Sequence, residues 1–286
     1  MKKIRYFVEF LIIIFLLVIF KILGFKLASS LGGLIGRSVG PLFRSKKKIL
    51  SNISKALPEI EEKNTELIVK KMWENYGRIL SEYMFIKNFR NSKYKKFLTI
   101  EGQEILNEIK DSKEPVVFIS GHFNNFELMA MQVEKSGINL AAIYRPLNNI
   151  FLNKIMEKIR TKYICRKQIK KGGSGTRELL ESFKNNYSIA IMIDQRVSES
   201  IKVDFFNQKA STTTIPAQLF KKFGSKIVPI YIERINGVYF KMTVSRPIIF
   251  EKESTIEEIT LKLNKWLEKM ILINPDQWIW SHDRWK

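Results

Sequence analysis

Apolar and polar residues alternate along this chain in blocks that predict strands and helices in turn. Short apolar runs at residues 115–120, 140–144 and 188–193 are typical of buried strands, and amphipathic stretches with helical spacing lie between them. Two further runs, at residues 226–234 and 238–245, also predict strands. This succession predicts an α/β fold with a largely parallel central sheet flanked by helices, in which ligands bind at the C-terminal ends of the strands.

An apolar run near the N-terminus predicts a membrane attachment. Residues 6–23 are interrupted only by Glu9 near one end and Lys21 near the other. A spanning helix needs about 20 mainly apolar residues, so residues 1–26 are expected to form a transmembrane helix or a deep monotopic anchor. The alternatives are a core helix, which is rare at an unprotected terminus, and a signal peptide, for which no A-x-A-like cleavage site follows.

Charge around the apolar run predicts its orientation. More Lys and Arg residues follow the run than precede it, which places the large C-terminal part on the cytoplasmic side. Residues 27–63 are first apolar and Gly-rich and then basic at residues 44–48, as expected for an interfacial segment on anionic headgroups. Residues 64–286 then form the main domain.

Composition limits the function classes. The chain of 286 residues is 45% hydrophobic, which excludes a disordered protein, and its net charge of +21 favours anionic partners: nucleic acid, anionic lipid or an acidic protein. The single cysteine, Cys165, excludes an internal disulfide and fits a reducing compartment. No Cys/His cluster predicts a zinc site, and neither a metal nor a cofactor is expected.

The turn after the first apolar strand contains the strongest candidate for chemistry. His122, one of only two histidines, lies in this turn, and Glu127 begins the following helix. Across such a corner an imidazole can meet a carboxylate, which would fix its tautomer and leave the other nitrogen free to take a proton from a hydroxyl. The structural alternative is a histidine that packs at the corner while Glu127 complements the helix dipole.

Other charged residues follow the next strands. Arg145 ends the strand at 140–144 and Asp194 ends the strand at 188–193, at the edge where ligands bind in parallel sheets. A Gly-rich turn at residues 172–175 precedes Arg177 at a helix start, which suits either a phosphate site or a flexible solvated loop.

Five segments together resemble the late acyltransferases of lipid A biosynthesis, the lauroyl and myristoyl transferases. The first is GHFNNFE at 121–127, which is similar to the His-x4-acid signature of that family. The others are YRPLNN at 144–149, the region 177–195 with its Asp-Gln ending, residues 205–214, and QWIWSHDRWK at 277–286. With the N-terminal anchor, the resemblance covers almost the whole chain.

The resemblance implies a glycerolipid-acyltransferase-like fold in the bacterial inner membrane, with the catalytic domain facing the cytoplasm. It implies an acyl thioester on acyl carrier protein as donor and a hydroxyl of a lipid A precursor as acceptor. His122 is then the general base and Glu127 orients and stabilises it, with no covalent enzyme intermediate.

The same resemblance assigns binding roles. Arg145 and Arg177 are expected to hold phosphate groups, and Asp194 to lie in the site and position one of these cations. Asn125 and Tyr144, within the matching segments, are expected to contact the substrate. The positive charge then has two targets, the acidic carrier protein and the phosphorylated lipid, and an anionic membrane is a third partner.

Two other functions stay open. Glycerol-phosphate acyltransferases have Asp in the His-x4-acid signature and a Phe-Pro-Glu-Gly-type second block, which this chain lacks, yet acyl transfer to another glycolipid or a (lyso)phospholipid is an alternative. A membrane-tethered anion-binding protein without catalysis is a further one. Nucleic acid is not an expected partner, because no RNA- or DNA-binding signature accompanies the basic residues.

Overall fold

The structure, a computed structural model, describes residues 2–198 and 200–286. Its α-helices are α1 Lys2–Leu23, α2 Phe25–Val39, α3 Lys46–Ala56, α4 Glu62–Glu82, α5 Ile86–Arg90, α6 Gln103–Ser112, α7 Glu127–Lys135, α8 Ile150–Ile159, α9 Gly173–Lys184, α10 Ile215–Phe223 and α11 Ile256–Ile273. Its strands are β1 Leu98–Glu101, β2 Val117–Ser120, β3 Leu140–Tyr144, β4 Lys167–Lys170, β5 Ser188–Met192, β6 Lys202–Phe205, β7 Gln208–Ser211, β8 Ile227–Asn236 and β9 Tyr239–Val244.

Seven strands form one sheet in the order β1-β9-β8-β2-β5-β3-β4. Strands β8, β2, β5, β3 and β4 run parallel, whereas β9 is antiparallel to β8 and parallel to β1. The predicted α/β fold with a largely parallel sheet and flanking helices is therefore confirmed. Strand β2 lies at the centre and all four of its residues are buried, which explains its continuous apolar pattern.

Sequence reading missed the short strands. Strand β4 falls in the basic run at 166–171, where only Ile169 is fully buried, because an edge strand needs few apolar residues. Strands β6 and β7 form a separate antiparallel hairpin whose turn residues, Phe206 and Asn207, have φ of 52° and 56°. Such positive φ angles at both central residues suit the tight turn of a two-residue hairpin.

Helices α2 and α4 pack with almost no side chain between them. A Cβ atom on Gly77 would lie 1.9 Å from the carbonyl oxygen of Gly32, and one on Gly36 would lie 2.4 Å from that of Trp73. Helix α3 also enters the core through Ile49 and Ile53. Residues 27–63 thus belong to the same packed body as the sheet, and their contact with a membrane surface stays a prediction.

A buried ion pair joins the helices to the sheet. Glu82 at the end of α4 is fully buried and accepts hydrogen bonds from Arg234 on β8 at 2.6 and 3.1 Å. Ser29 of α2 and the side-chain amide of Asn125 donate to the same carboxylate at 2.8 and 3.0 Å. Asn125 therefore fixes the turn after β2 to the helical layer.

The C-terminal segment after α11 folds back over the sheet. Trp278, Trp280 and Arg284 are almost completely buried. The guanidinium of Arg284 donates to the carbonyl oxygen of Ser211 and the hydroxyl of Thr212, both at 2.7 Å, and lies 4.9 Å from the ring centroid of Phe205. This segment forms one wall of the site described next.

Candidate active site

Strand register brings His122 and Asp194 together. Strands β2 and β5 are parallel neighbours, and Ser120 pairs with Met192. His122 and Asp194 each come two residues later, so both leave the sheet at the same edge and side by side. This edge is where parallel sheets bind ligands.

The two side chains form a hydrogen-bonded pair. The imidazole Nδ1 of His122 lies 2.8 Å from Oδ1 of Asp194, and the His122 backbone N–H donates to Oδ2 at 2.8 Å. The indole of Trp278 donates to Oδ2 at 3.0 Å. A carboxylate can only accept, so Nδ1 carries the proton and Nε2 is left as the basic nitrogen.

The environment keeps Asp194 ionised. Burial favours its protonated form, but the charge and hydrogen bonds of His122, with the hydrogen bond from Trp278, outweigh burial and hold the pKa of Asp194 below its usual value. The carboxylate is fully buried, whereas the side chain of His122 is 22% exposed. The charged partner is thus fixed and the imidazole is accessible.

Glu127 does not contact His122, which corrects the expected His122–Glu127 pair. Its carboxylate oxygen Oε1 accepts hydrogen bonds from the phenol of Tyr83 at 2.7 Å and from Arg160 at 2.8 and 2.5 Å. Phe126, the residue before Glu127, packs its ring against the imidazole of His122, with centroids 4.9 Å apart. Asp194 was expected to position a phosphate-binding cation. Its partner is instead the imidazole of His122.

Arg160 is a site residue that the sequence did not reveal. It begins a π-helical turn, residues Arg160–Ile164, directly after α8, and its side chain is 12% exposed. Burial acts to lower the pKa of Arg160, but the adjacent Glu127 and Tyr83 outweigh it and raise that pKa above its usual value, so the guanidinium stays charged. One arginine in an amphipathic helix carries no signal of this role, and π-turns are a recurring feature of functional sites.

His122, Glu127 and Arg160 line a cavity of 790 Å³. Part of its lining comes from the sheet, where Ala142 of β3 and Ala190 of β5 lie in register beside each other. Small side chains at these positions leave room over the sheet. The amide of Gln195 reaches the same space and lies 3.4 Å from Nε2 of His122.

Another part of the cavity lining is cationic. Arg44, Lys48, Arg145 and Lys171 line it, and Lys48 lies 3.4 Å from the carboxylate of Asp283. Within residues 2–198 and 200–286, the other three form no ion pair with a carboxylate. Partial burial and the nearby Arg145 lower the pKa of Lys171. Two close cations without a counter-charge favour an anionic ligand.

The predicted binding residues separate into two groups. Tyr144 and Arg145 line the cavity, and the Tyr144 phenol donates to Glu157 at 2.7 Å. Asn125 is fully buried, donates to Glu82 and lies outside the lining, so the position of its side chain is explained by this structural contact, and a contact with substrate stays a prediction. Arg177 is exposed on α9 and also lies outside the cavity lining.

The C-terminal segment contributes residues that sequence reading left aside. Ile279, Ser281 and His282 line the cavity. The Nε2 atom of His282 accepts a hydrogen bond from the backbone N–H of Arg196 at 3.0 Å, and burial lowers the pKa of His282. The only indication in the sequence that these three residues belong to the site was the resemblance of residues 277–286 to the family. In the described part of the chain, no group of three His, Cys, Asp or Glu side chains could hold a metal ion.

A sequence profile of the bacterial lipid A biosynthesis acyltransferases matches residues 1–286. The chain belongs to this family. Lipid A biosynthesis acyltransferase 2 of Shigella flexneri is 24% identical over 251 residues, covering 86% of this chain and 79% of the relative. The lipid A lauroyltransferase of Escherichia coli K12 is 24% identical over 272 residues, covering 92% of this chain and 85% of the relative. The lipid A myristoyltransferase of the same organism is 23% identical over 251 residues, covering 86% of this chain and 77% of the relative.

A solved structure is also similar to this acyltransferase. The 1-acyl-sn-glycerophosphate acyltransferase of Thermotoga maritima aligns with a TM-score of 0.42 at 14% identity, covering 87% of this chain and 98% of that one. Family membership confirms the resemblance drawn from the five segments and makes the chain an acyltransferase of lipid A biosynthesis.

Proposed function

We propose that this acyltransferase moves a fatty acyl chain from the thioester of an acyl carrier protein to a hydroxyl of a lipid A precursor, with His122 as general base. The observation that carries the proposal is the accessible Nε2 of His122, whose other nitrogen is held by buried Asp194 at 2.8 Å. In a chain of this family, that arrangement suits deprotonation of an acceptor hydroxyl.

The reaction needs no covalent enzyme intermediate. Nε2 of His122 takes the proton of the acceptor hydroxyl as its oxygen attacks the thioester carbonyl carbon. A new C–O bond forms, the C–S bond breaks, and the imidazolium returns the proton to the departing thiolate. Asp194 holds the ring and stabilises its charge during the step. General-base catalysis of this kind contributes about 10²- to 10⁴-fold in rate.

The cavity has matching regions for both substrates. The small apolar side chains of Ala142 and Ala190 suit the acyl chain of the donor, and the cations Arg145 and Lys171 suit a phosphate of the acceptor. The Glu127–Arg160 pair lines the same cavity, and Arg160 directly follows α8. Exposed cations in a chain of net charge +21 favour encounter with an acidic carrier protein.

The test is acyl transfer in detergent micelles with purified native chain and His122→Ala. Donors are acyl carrier protein and coenzyme A thioesters of the same acyl chain, and acceptors are a phosphorylated lipid A precursor, an unphosphorylated glycolipid and a lysophospholipid. We expect transfer from the carrier protein to the phosphorylated precursor, and its loss in His122→Ala with an unchanged thermal melt.

Three results would contradict the proposal. Equal rates with both thioesters would show that the carrier protein is not the specific donor. Faster transfer to the lysophospholipid than to the lipid A precursor would show that the acceptor is a phospholipid. Retained activity in His122→Ala would mean that the imidazole is not the base.

A further inference from the structure

Helix α1 presents two different faces along its whole length. By length and composition it is apolar enough to cross a membrane. One stripe, which includes Tyr6, Glu9 and Phe20, faces the protein and is partly or fully covered. The opposite stripe is exposed and entirely apolar: Ile4, Phe7, Val8, Leu11, Ile12, Phe15, Val18 and Ile22.

Both ends of this helix are fastened to the same globular body. Near its start, the side-chain amide of Asn149 donates to the carbonyl oxygen of Tyr6 at 2.8 Å and to the carboxylate of Glu9 at 3.2 Å. The ring of Phe151 on α8 packs against Phe7 at 5.5 Å between centroids. Near the other end, Phe20 is 1% exposed within the core.

A bilayer-spanning orientation conflicts with these two attachments. Tyr6 and Phe20 are about 21 Å apart along a helix that rises 1.5 Å per residue, and the hydrocarbon core is about 30 Å thick. If α1 crossed it, α8 with Lys154 and Lys158, and Arg145 at the cavity, would be drawn into hydrocarbon. Charged side chains there cost several kcal/mol each.

The geometry points to a helix that lies within one leaflet, with its exposed stripe in the lipid and the catalytic domain beside it. The charges of α1 agree with this placement, because Glu9 faces Asn149 and Arg5 rather than the lipid-facing stripe. The positive residues before the apolar run then stay on the same side of the membrane as the active site.

The lipid-facing surface continues from α1 to the mouth of the active-site cavity. Helix α8 is amphipathic and has no buried residue, and Ile150 at its start is 48% exposed. Leu147 and Phe43, both at the cavity mouth, are 38% and 75% exposed. Leu42 beside Phe43 is 83% exposed.

Basic residues surround this apolar surface. Arg44, Lys46, Lys47 and Lys48 follow Phe43, and Arg145 precedes Leu147. Apolar side chains that enter the acyl region, with Lys and Arg at headgroup level, are the pattern of an interfacial membrane surface on an anionic leaflet. The partner is therefore an anionic lipid bilayer, and the cavity opens into its surface.

The placement of α1 is tested by the side of the membrane on which its N-terminal end can be labelled. In a Cys165→Ala background, which removes the single cysteine, Lys3→Cys is compared with Lys63→Cys on exposed α4. A membrane-impermeant maleimide is added to intact spheroplasts and to inverted membrane vesicles. We expect both cysteines to be labelled only in the inverted vesicles. Labelling of Lys3→Cys in spheroplasts would show that α1 crosses the bilayer and would overturn the inference.

The rest of the lipid-facing surface is tested by how deeply labelled residues enter the bilayer. Full-length chains with Phe43→Cys, Ile150→Cys or Ile249→Cys in the same background carry a bimane label and are reconstituted in vesicles with brominated acyl chains. Ile249 is the control, because it is 80% exposed beside Ile248, which bridges to the N-terminal end of β8 at the opposite sheet edge. We expect at least twofold quenching at 43 and 150 and none at 249. Equal quenching at all three positions would exclude a specific lipid-facing surface.

Discussion

Asp194 occupies the place beside His122 that the sequence motif gives to Glu127. Its Oδ1 atom lies 2.8 Å from Nδ1 of His122, whereas Oε1 of Glu127 lies 2.8 Å from Nε of Arg160. The His-x4-acid motif therefore contains one member of the imidazole–carboxylate pair and one member of a separate ion pair. The two carboxylates should respond differently to substitution.

Asp194→Asn should lower kcat by about 10²- to 10⁴-fold with a small change in KM, because the imidazole loses the charge that stabilises its protonated form. The measurement is kcat and KM of acyl transfer, with Asp283→Asn as a control carboxylate that also lines the cavity. A kcat like that of the native chain would exclude this role for Asp194.

Glu127→Ala should act first on stability. Arg160 is 12% exposed and would be left as a buried unpaired cation, which costs about 3–5 kcal/mol of unfolding free energy. Removing both partners, in Glu127→Ala with Arg160→Ala, should cost less than the sum of the single changes. Unfolding in detergent by denaturant measures the four chains of this cycle. Strictly additive losses would show that the two side chains do not depend on each other.

Ala142→Phe should shorten the acyl chain that the enzyme prefers. Ala142 lines the cavity beside Ala190, so a phenyl ring there would fill space over the sheet. Each methylene in an apolar pocket is worth about 1–3 kcal/mol, or roughly 10- to 200-fold in kcat/KM. Competition among thioesters of increasing acyl length gives the ratio of their kcat/KM values. The control is Ala142→Ser, because serine is nearly equal in size to alanine. An unchanged preference would place the acyl chain elsewhere.

His282 should make the fold sensitive to acid. Because burial lowers its pKa, the unfolded chain takes up this proton at higher pH than the folded chain does. Stability is therefore complete above the ordinary value of 6.5 and falls as the pH drops below it, by at most about 1.4 kcal/mol per pH unit. His282→Gln should flatten this slope in thermal melts across a pH series. The same slope in both chains would assign the acid sensitivity to other groups.

Gly77→Ala should destabilise the protein although alanine normally favours a helix. Its Cβ would meet the Gly32 carbonyl oxygen at 1.9 Å, so α2 must move away from α4. The control is Gly173→Ala at the start of α9, where a Cβ meets nothing within 4 Å. That change should be neutral or stabilise by roughly 0.5–1 kcal/mol. Equal melting temperatures in the two variants would mean that α2 and α4 adjust without cost.

Local patterns predicted the central strands and the corner that carries His122, because buried parallel strands have continuous apolar runs. The partner of His122 was assigned wrongly, because closeness along the chain favoured Glu127. The true neighbour depends on strand order, which places β5 beside β2. Arg160 and His282 depend on a π-turn and on a distant segment, and neither leaves a local pattern in the sequence.

The wall formed by the C-terminal segment gives the protein an order of assembly during its synthesis. Trp278, which binds Asp194, is translated about 255 residues after the end of α1. At about 5–20 residues per second, roughly 13–50 s separate the two events. The apolar helix α1 is therefore complete long before the wall of the active site can form, so that catalytic competence is the last property the chain acquires.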